Sequence, residues 1–309
     1  MDPFNREDRM NTPGRTDGTW LQGAAAAMML SFDVDAESCV LAEGAHFSNH
    51  PGVMSHQAYG PQVGVPRILD MLKDLDVRAT FFVPGRTAEQ WPQVVESLLA
   101  HGHEVGHHSY AHRRLVEMSP EEEREDFERG LHALKQVGAS PVGHRSPLSS
   151  PSIHTADILA ANGFSYDSTL MDDDRPYLLT TPHGTLVELP LHWTLDDFPQ
   201  YAYLPDPPIG NAIESPRKAL EVWSLELQAM RRYGGLFVLC CHPFLSGRPS
   251  RVEALRELIV GAQETGDVAI LTGAELAARV KVDSSVPVRP DFLSAPLNHN
   301  HKSKVGPHA

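Results

Sequence analysis

The chain has 309 residues, of which 41% are apolar and 21% are charged, a composition typical of a globular protein with a hydrophobic core. Its 26 Lys and Arg residues stand against 40 Asp and Glu residues, so the formal net charge is −14. Nucleic acids and anionic membrane surfaces bind basic protein surfaces. The acidic balance therefore argues against both as partners.

The residues before the first predicted strand and the cysteines both bear on the expected cellular location. The nearest candidate for a membrane span, residues 24–30, is far shorter than the ~20 apolar residues that a span needs. The arginines before it are interleaved with acidic residues, unlike the basic start of a secretion signal. Cys39, Cys240 and Cys241 have neither zinc-site spacing nor the number for a disulfide framework, so buried thiols are expected. We expect a cytoplasmic protein.

Short apolar segments alternate with helical patterns between two polar termini. Residues 1–25 and 282–309 lack periodicity and are expected to be flexible, which leaves one folded domain at residues 26–281. The predicted strands are residues 26–32, 79–83, 103–106, 141–145, 164–166, 187–191, 236–241 and 268–271. The predicted helices are residues 65–75, 88–100, 120–137, 152–162, 216–233, 250–264 and 273–280.

This alternation indicates an α/β fold with a mostly parallel sheet covered by helices. We predict a single-domain distorted (β/α) barrel of about seven parallel strands with outer helices. An open three-layer sheet is the structural alternative. Residues 43–62, rich in Gly, His and Pro, are predicted to form a long loop.

Polar residues that packing does not require follow several of the predicted strands. They are, in chain order, Asp33, Asp35, His107, His108, His112, Arg145, His192, Trp193 and His242. In parallel α/β folds the carboxyl ends of the strands lie on one face, where active sites are built. We therefore expect these side chains to share one site.

His108 and His112 are predicted ligands of a divalent metal ion. If the segment is helical, their i and i+4 spacing makes both rings face the same way. Two histidines and one carboxylate are a common catalytic zinc set that leaves a position open for water, and Asp35 supplies the carboxylate. The alternative is an ordinary polar pair near a helix start. The arrival of Asp35 and His242 at the same face favours the metal site.

Asp33 lies two residues before Asp35, and the two carboxylates can divide the chemistry. One binds the metal, and the other stays free as a base. A turn or capping role is the alternative for Asp33, because Asp is frequent in turns. Arg145 is available to orient Asp33 as a carboxylate.

These motifs resemble the polysaccharide deacetylase superfamily, the family-four carbohydrate esterases, over about residues 26–280. Phe32-Asp33-Val34-Asp35 resembles the first motif, with one inserted residue, and the second motif is matched by His108, Ser109 and His112. Arg145-Ser146-Pro147 resembles the third motif and is followed by Leu148, where many deacetylases carry Tyr. Leu239-Cys240-Cys241-His242 resembles the fifth.

The fourth motif departs most from the family pattern. Residues 188–193 keep Trp193 but lack the acidic context found in sugar deacetylases. The sequence is most similar to the branch of peptidoglycan-deacetylase-like proteins, cyclic imide hydrolases and allantoinases. The resemblance implies that Asp33 is the catalytic base, that Asp35 is a metal ligand and that His242 is the general acid. Trp193, Pro147 and Tyr110 are the predicted substrate-binding residues.

The resemblance implies a metal-dependent hydrolase of carbon–nitrogen bonds other than peptide bonds, acting on a small or amino-sugar-derived substrate. Zinc is the first choice of metal, with cobalt, nickel and iron as alternatives. A cyclic imide or ureide is the alternative substrate, and a non-catalytic metal- or sugar-binding protein is the alternative of another class. A homo-oligomer is compatible with the sequence. The loop at 43–62 is expected to act with Trp193 as the wall of a closed pocket for a small molecule.

Overall fold

The computed structural model of the protein describes residues 19–210 and 213–291. The strands are β1 Ala26–Asp33, β2 Thr80–Val83, β3 Glu104–His107, β4 Gly143–His144, β5 Tyr166–Asp167, β6 Tyr177–Thr181, β7 Gly184–Glu188, β8 Tyr203–Pro205, β9 Pro208–Gly210, β10 Leu236–Cys241, β11 Val268–Ile270 and β12 Val288–Pro290. The helices are α1 Ser38–Glu43, α2 Pro51–Tyr59, α3 Val65–Asp74, α4 Gly85–Gln90, α5 Pro92–Ala100, α6 Pro120–Gln136, α7 Thr155–Ala161, α8 Phe198–Tyr201, α9 Pro216–Tyr233, α10 Pro243–Ser246, α11 Pro249–Glu264 and α12 Gly273–Lys281.

Seven strands follow one another in parallel, in the order β10-β1-β2-β3-β4-β5-β7. The order continues through β6, which is antiparallel to β7, to β12, which is parallel to β6. Strand β11 pairs with the first half of β1. The α/β class and the run of parallel strands are confirmed. Among the described strands no pair joins β12 back to β10, so the hydrogen-bonded path is open.

Strand β1 is the centre of the hydrophobic core. All eight of its residues are buried, because a parallel strand covered on both faces needs apolar side chains on both. Met28, Leu30 and Phe32 pack in one cluster, and Ala27 and Met29 pack in another. The alternation of side chains along a strand accounts for this division.

The prediction of a long loop at residues 43–62 is wrong. The segment contains a 3₁₀ turn, helix α2 and a π-helical turn, Gly60–Gly64, that leads into α3. The amphipathic pattern is missing because Gln57 is the residue that α2 buries. Gly64 lies against α10, where an added Cβ would come within 2.2 Å of the Pro243 carbonyl oxygen. The two elements therefore pack with their backbones in close contact.

The predicted flexible termini are too long at their inner ends. Trp20 and Leu21 are buried, and the backbone N–H of Trp20 donates to the Asp283 carboxylate at 2.7 Å. After α12, the chain returns to add β12 beside β6. Residues 19–25 and 283–291 are thus held by tertiary contacts. Their sequences lack the periodicity from which structure could have been predicted. Residues 1–18 and 292–309 lie outside the described residues.

Two proline positions explain further differences from the predicted elements. The helix predicted at 88–100 is divided into α4 and α5 because Pro92 disfavours the helical conformation at Trp91. The strand predicted at 187–191 ends at Glu188, before Pro190, which has no N–H for the sheet. Its partner in the hairpin, β6, was not predicted.

The fold brings four strand ends together at one edge of the sheet. Asp33 is the last residue of β1, and His107 is the last residue of β3. Arg145 follows β4, and His242 follows β10. Because these strands are parallel and close in the sheet, their carboxyl ends form one face. Within the described ranges, no helix has the length and apolarity required to cross a membrane.

Candidate metal and catalytic site

The side chain of Asp35 lies between the rings of His108 and His112. Its Oδ1 is 3.4 Å from His108 Nε2, and its Oδ2 is 3.2 Å from His112 Nε2. All three residues are at most 3% exposed. One ligand atom from each can be chosen so that all lie within 4.8 Å of one another. The structure therefore brings the three predicted metal ligands together in a buried cluster.

The donor geometry of this cluster fits a divalent ion. In a tetrahedral zinc site with bonds of ~2.0–2.1 Å, neighbouring ligand atoms are ~3.3 Å apart, close to the separations around Asp35. Asp35 Oδ1 and His112 Nδ1 have no hydrogen-bond partner among the described residues. Burial raises the pKa of Asp35, but His112, His108 and His242 outweigh burial and hold the pKa well below its ordinary value. Asp35 is thus available as a carboxylate.

The segment from His108 to His112 is a turn, which corrects the helical interpretation of the spacing. Ser109 and His112 have φ angles of 59° and 57°, in the left-handed region. The backbone N–H groups of Tyr110 and Ala111 donate to the two oxygens of Asp126 on α6. These bonds replace helical hydrogen bonds and stabilise the turn, since unpaired buried backbone groups are costly. Both histidines still reach Asp35, but by a different backbone path.

The ring of His108 is oriented by the backbone of the next strand. Its Nδ1 lies 2.6 Å from the carbonyl oxygen of Arg145. Because a carbonyl only accepts hydrogen bonds, Nδ1 donates to it, and Nε2 is the ring nitrogen that faces Asp35 and can bind a metal. This is the usual arrangement of a metal-binding imidazole.

Asp33 is held by a buried ion pair. The guanidinium of Arg145 donates to Asp33 Oδ1 at 2.8 Å, and its other nitrogens bond the carbonyl and hydroxyl oxygens of Ser168. Burial lowers the pKa of Arg145, but Asp33 and further neighbouring groups together raise it above its ordinary value, so the guanidinium stays charged. Asp33 Oδ2 lies 3.8 Å from His108 Nε2 and 3.4 Å from the Cys240 sulfur. One carboxylate oxygen is thus fixed, and the other lies beside the cluster.

His242 lies across the cavity with its ring bonded to Asp197. The Asp197 carboxylate accepts from His242 Nδ1 at 2.7 Å and from the His242 backbone N–H at 2.9 Å, and also from the Ser246 hydroxyl. Burial lowers the pKa of His242, but Asp197, Asp196 and Asp35 outweigh it and raise the pKa to about 10. His242 Nε2 is 3.7 Å from Asp35 Oδ2.

The acidic partner of His242 is a functional residue that sequence reasoning missed. Asp196 and Asp197 lie three and four residues after Trp193, outside the segment compared with the fourth motif. Burial is the main cause that raises the pKa of Asp196 to about 7. The adjacent acid pair was a usable signal. Its pairing with a histidine 45 positions away depends on the bridge between Asp196 and Cys240 beside β10.

A cavity of about 400 Å³ contains the metal cluster, Asp33 and His242. Its apolar side is formed by Trp193, Leu148, Leu191, Phe198 and Pro199. Trp193 is 61% exposed, as expected for a residue at the rim.

Two predicted substrate-binding residues are placed elsewhere. The hydroxyl of Tyr110 bonds Glu89 and Arg129 outside the cavity, because the turn directs the ring toward α4 and α6. Pro147 is buried, and its neighbours Ser146 and Leu148 line the cavity instead. Residues 43–62, all of them described, contribute nothing to the lining, so the predicted wall from this segment is also corrected.

Comparisons with known proteins agree with this architecture. The family model for polysaccharide deacetylase matches residues 58–166. A Mycobacterium smegmatis protein assigned as a polysaccharide deacetylase is 45% identical, with a TM-score of 0.85 over 93% of this chain and 97% of that one. The chain belongs to the polysaccharide deacetylase family. A peptidoglycan deacetylase of Helicobacter pylori is 26% identical, covering 76% of this chain and 90% of the relative.

A second solved structure shares the fold of this chain at a lower sequence identity. An allantoinase is 21% identical, with a TM-score of 0.72 over 87% of this chain and 97% of that one. At this identity the likeness concerns the fold alone.

Replacing the partner of His242 should lower the pKa of this histidine. In the metal-free protein, Asp197→Asn removes the carboxylate at 2.7 Å, whereas the control Asp196→Asn removes one at 3.8 Å. NMR titration of the His242 ring should therefore give a larger fall in pKa for Asp197→Asn. An unchanged His242 pKa in Asp197→Asn would contradict this interpretation.

The loss of unfolding free energy caused by Asp197→Asn should depend on pH in a defined direction. The folded-state pKa of His242, about 10, is above the ordinary value of 6.5. Protonation of His242 thus stabilises the fold fully below pH 6.5, and this contribution is lost as the pH rises toward 10. The difference in the free energy of unfolding between the wild type and Asp197→Asn, measured with urea, should therefore decrease as the pH rises from 6.5 toward 10.

Proposed function

We propose that this polysaccharide deacetylase family member is a metal-dependent hydrolase that removes the acetyl group from an amino-sugar-derived substrate. The observation that carries the proposal is the placement of a carboxylate, Asp33, and an imidazolium, His242, beside the Asp35–His108–His112 cluster in one cavity. Hydrolysis of an amide needs an acceptor for the proton of water and a donor to the departing nitrogen, and this pair supplies both.

Asp35, His108 and His112 would hold the divalent ion, with zinc as the first choice and cobalt, nickel or iron as alternatives. When bound, the ion would supply Lewis-acid polarisation of the substrate carbonyl and would acidify water for attack. The hydrogen bond from His108 Nδ1 to the Arg145 carbonyl keeps one ligand atom in place for this function.

Asp33 would act as the base. Its Oδ1 is bound to Arg145, which fixes the orientation of the side chain. Its Oδ2 remains to accept a proton from water at the cluster. In this arrangement Arg145 is a positioning residue that acts through Asp33.

His242 would act as the general acid. With its pKa raised to about 10, the imidazolium is present at neutral pH before the reaction starts. The bond from Nδ1 to Asp197 directs Nε2 toward the cavity, where it would protonate the amine nitrogen as the carbon–nitrogen bond breaks. Asp197 positions the ring and stabilises its positive charge.

The likeness to peptidoglycan deacetylases supports an amino sugar as the acetylated substrate. The cavity of about 400 Å³, with Trp193 exposed at its rim, supports a small substrate or a single sugar unit. A cyclic imide or ureide is the second candidate, supported by the small, largely apolar-walled cavity and the allantoinase-like fold. The presence of both Asp33 and His242 in the cavity favours an enzyme over a non-catalytic binding protein.

The two aspartates should have separable roles. Asp35→Asn should abolish binding of the first equivalent of zinc, whereas Asp33→Asn should keep the zinc and lower kcat by ~10²–10⁴, the usual effect of removing an acid–base group. The control Asp74→Asn, at an exposed pair with Arg256, should change neither. Zinc content after dialysis and kcat give both readouts. Loss of zinc in Asp33→Asn with retention in Asp35→Asn would reverse the assignment.

The zinc-loaded protein should release acetate from soluble N-acetylglucosamine oligomers and leave insoluble chitin untouched. Trp193→Ala should raise KM for the oligomers with kcat little changed, since the ring contacts substrate away from the reacting bond. Tyr233→Ala is the matched control, because Tyr233 ends α9 at the opposite end of β10. Faster hydrolysis of a cyclic imide or ureide would favour the second candidate, and robust deacetylation of chitin would contradict the small pocket.

A further inference from the structure

Cys240 is a cavity residue that the proposed reaction does not use. It lies on β10 two residues before His242 and is 3% exposed. Its sulfur lines the cavity at 3.4 Å from Asp33 Oδ2. Cys241 belongs instead to the hydrophobic core on the other face of the strand. The thiol of Cys240 therefore lies close to both the proposed base and the proposed acid.

Asp33, Cys240 and His242 form a second cluster of metal-binding atoms. A carboxylate oxygen, the sulfur and an imidazole nitrogen can be chosen within 4.8 Å of one another, and all three residues are buried. Oxygen, sulfur and nitrogen are the donors that zinc takes in proteins, and thiolate sulfur strengthens selection for soft divalent ions. This cluster shares no residue with Asp35, His108 and His112.

Two members of the cluster already have the orientation of a metal ligand. His242 Nδ1 is bonded to Asp197, which leaves Nε2 for an ion, as in carboxylate–histidine–zinc arrangements. Asp33 Oδ1 is bound to Arg145, which leaves Oδ2 beside the Cys240 sulfur. An ion on this side of the cavity would therefore meet three donors without breaking the hydrogen bonds of His242 to Asp197 and of Asp33 to Arg145.

We propose that Asp33, Cys240 and His242 form a second, inhibitory site for Zn²⁺. Binding at this site is independent of the proposed function, but its inhibitory effect rests on that function. An ion there takes Oδ2 of the base and Nε2 of the acid, so neither can exchange a proton with water or substrate. Excess zinc then stops the reaction that the first zinc ion supports.

The binding step releases two protons and involves no change in oxidation state. The Cys240 thiol and the His242 imidazolium each lose a proton, and the freed lone pairs on sulfur and Nε2 bond to the ion. Asp33 Oδ2 donates a lone pair that it already has. Asp35 Oδ1 has no hydrogen bond to give up, whereas Cys240 must give up its bond to Asp33 Oδ2, so the second site fills at higher free zinc than the first.

The two clusters lie close enough for two ions in one cavity. Asp33 Oδ2 is 3.8 Å from His108 Nε2, and His242 Nε2 is 3.7 Å from Asp35 Oδ2. These are separations between ligand atoms of the two donor sets, which therefore lie side by side in the same cavity.

Cobalt titration of the metal-free full chain tests the site directly, because cobalt bound to a thiolate gives a near-ultraviolet charge-transfer band. The first equivalent should bind without this band, since Asp35, His108 and His112 contain no sulfur. The second equivalent should produce it. Equilibrium dialysis with Zn²⁺ should then show two ions per chain in the wild type and one in Cys240→Ser. The serine hydroxyl preserves a donor to Asp33 but is a poor zinc ligand.

Cys39→Ser is the matched control, because Cys39 is the other thiol that lines the cavity. This variant should keep both the band and the second ion. Absence of the band in the wild type at two equivalents, or its persistence in Cys240→Ser, would overturn the proposal. The wild-type spectrum keeps the test decisive even if Cys240→Ser fails to fold.

An activity measurement separates this proposal from the proposed function. Activity of the wild type should fall at least tenfold between one and two bound zinc ions, while Cys240→Ser should keep its own one-zinc rate. A protein that is inactive at one zinc ion yet shows the cobalt band would contradict the proposed function alone. Full activity with two bound zinc ions would overturn the inhibitory role.

Discussion

Arg145 is a fully buried cation, and the site depends on how its charge is balanced. A buried charge without a partner is strongly destabilising, and Asp33 provides the partner at 2.8 Å. The same residue uses its carbonyl oxygen to hold the ring of His108. Arg145 therefore orients a carboxylate at the end of β1 and a histidine just after the end of β3. This connection ties the edge of the sheet into one rigid site.

The ion pair also accounts for the difference between two aspartates that are close in sequence. Arg145 occupies one oxygen of Asp33, whereas Asp35 is surrounded by histidines and has an oxygen without a hydrogen-bond partner. A second buried pair lies across the cavity, where the carboxylate of Asp197 raises the pKa of His242 and so stabilises the imidazolium. The cavity thus lies between a fixed carboxylate and a fixed cation, an arrangement suited to moving a proton across a reacting bond.

The alternation of strands and helices was enough to predict the α/β class. The rule that the carboxyl ends of parallel strands lie on one face was enough to predict one site containing Asp33, Asp35, His108, Arg145 and His242. The rest depended on tertiary contacts that local patterns do not encode. Tyr110 leaves the cavity because Asp126 holds a left-handed turn where a helix was expected. Asp197 was missed because its bond to His242 joins two distant segments. Helix α2 lacks periodicity because it buries little apolar surface of its own.

Anomalous diffraction at the zinc edge, from crystals of the protein loaded with one equivalent of zinc, tests the division between the aspartates most directly. One peak is expected within ~2.0–2.2 Å of an Asp35 oxygen and of Nε2 of His108 and His112. The electron density of the same crystals should show Asp33 still bound to Arg145. A peak ligated by Asp33 while Asp35 remains free, or the absence of a peak between the two histidines, would contradict the account.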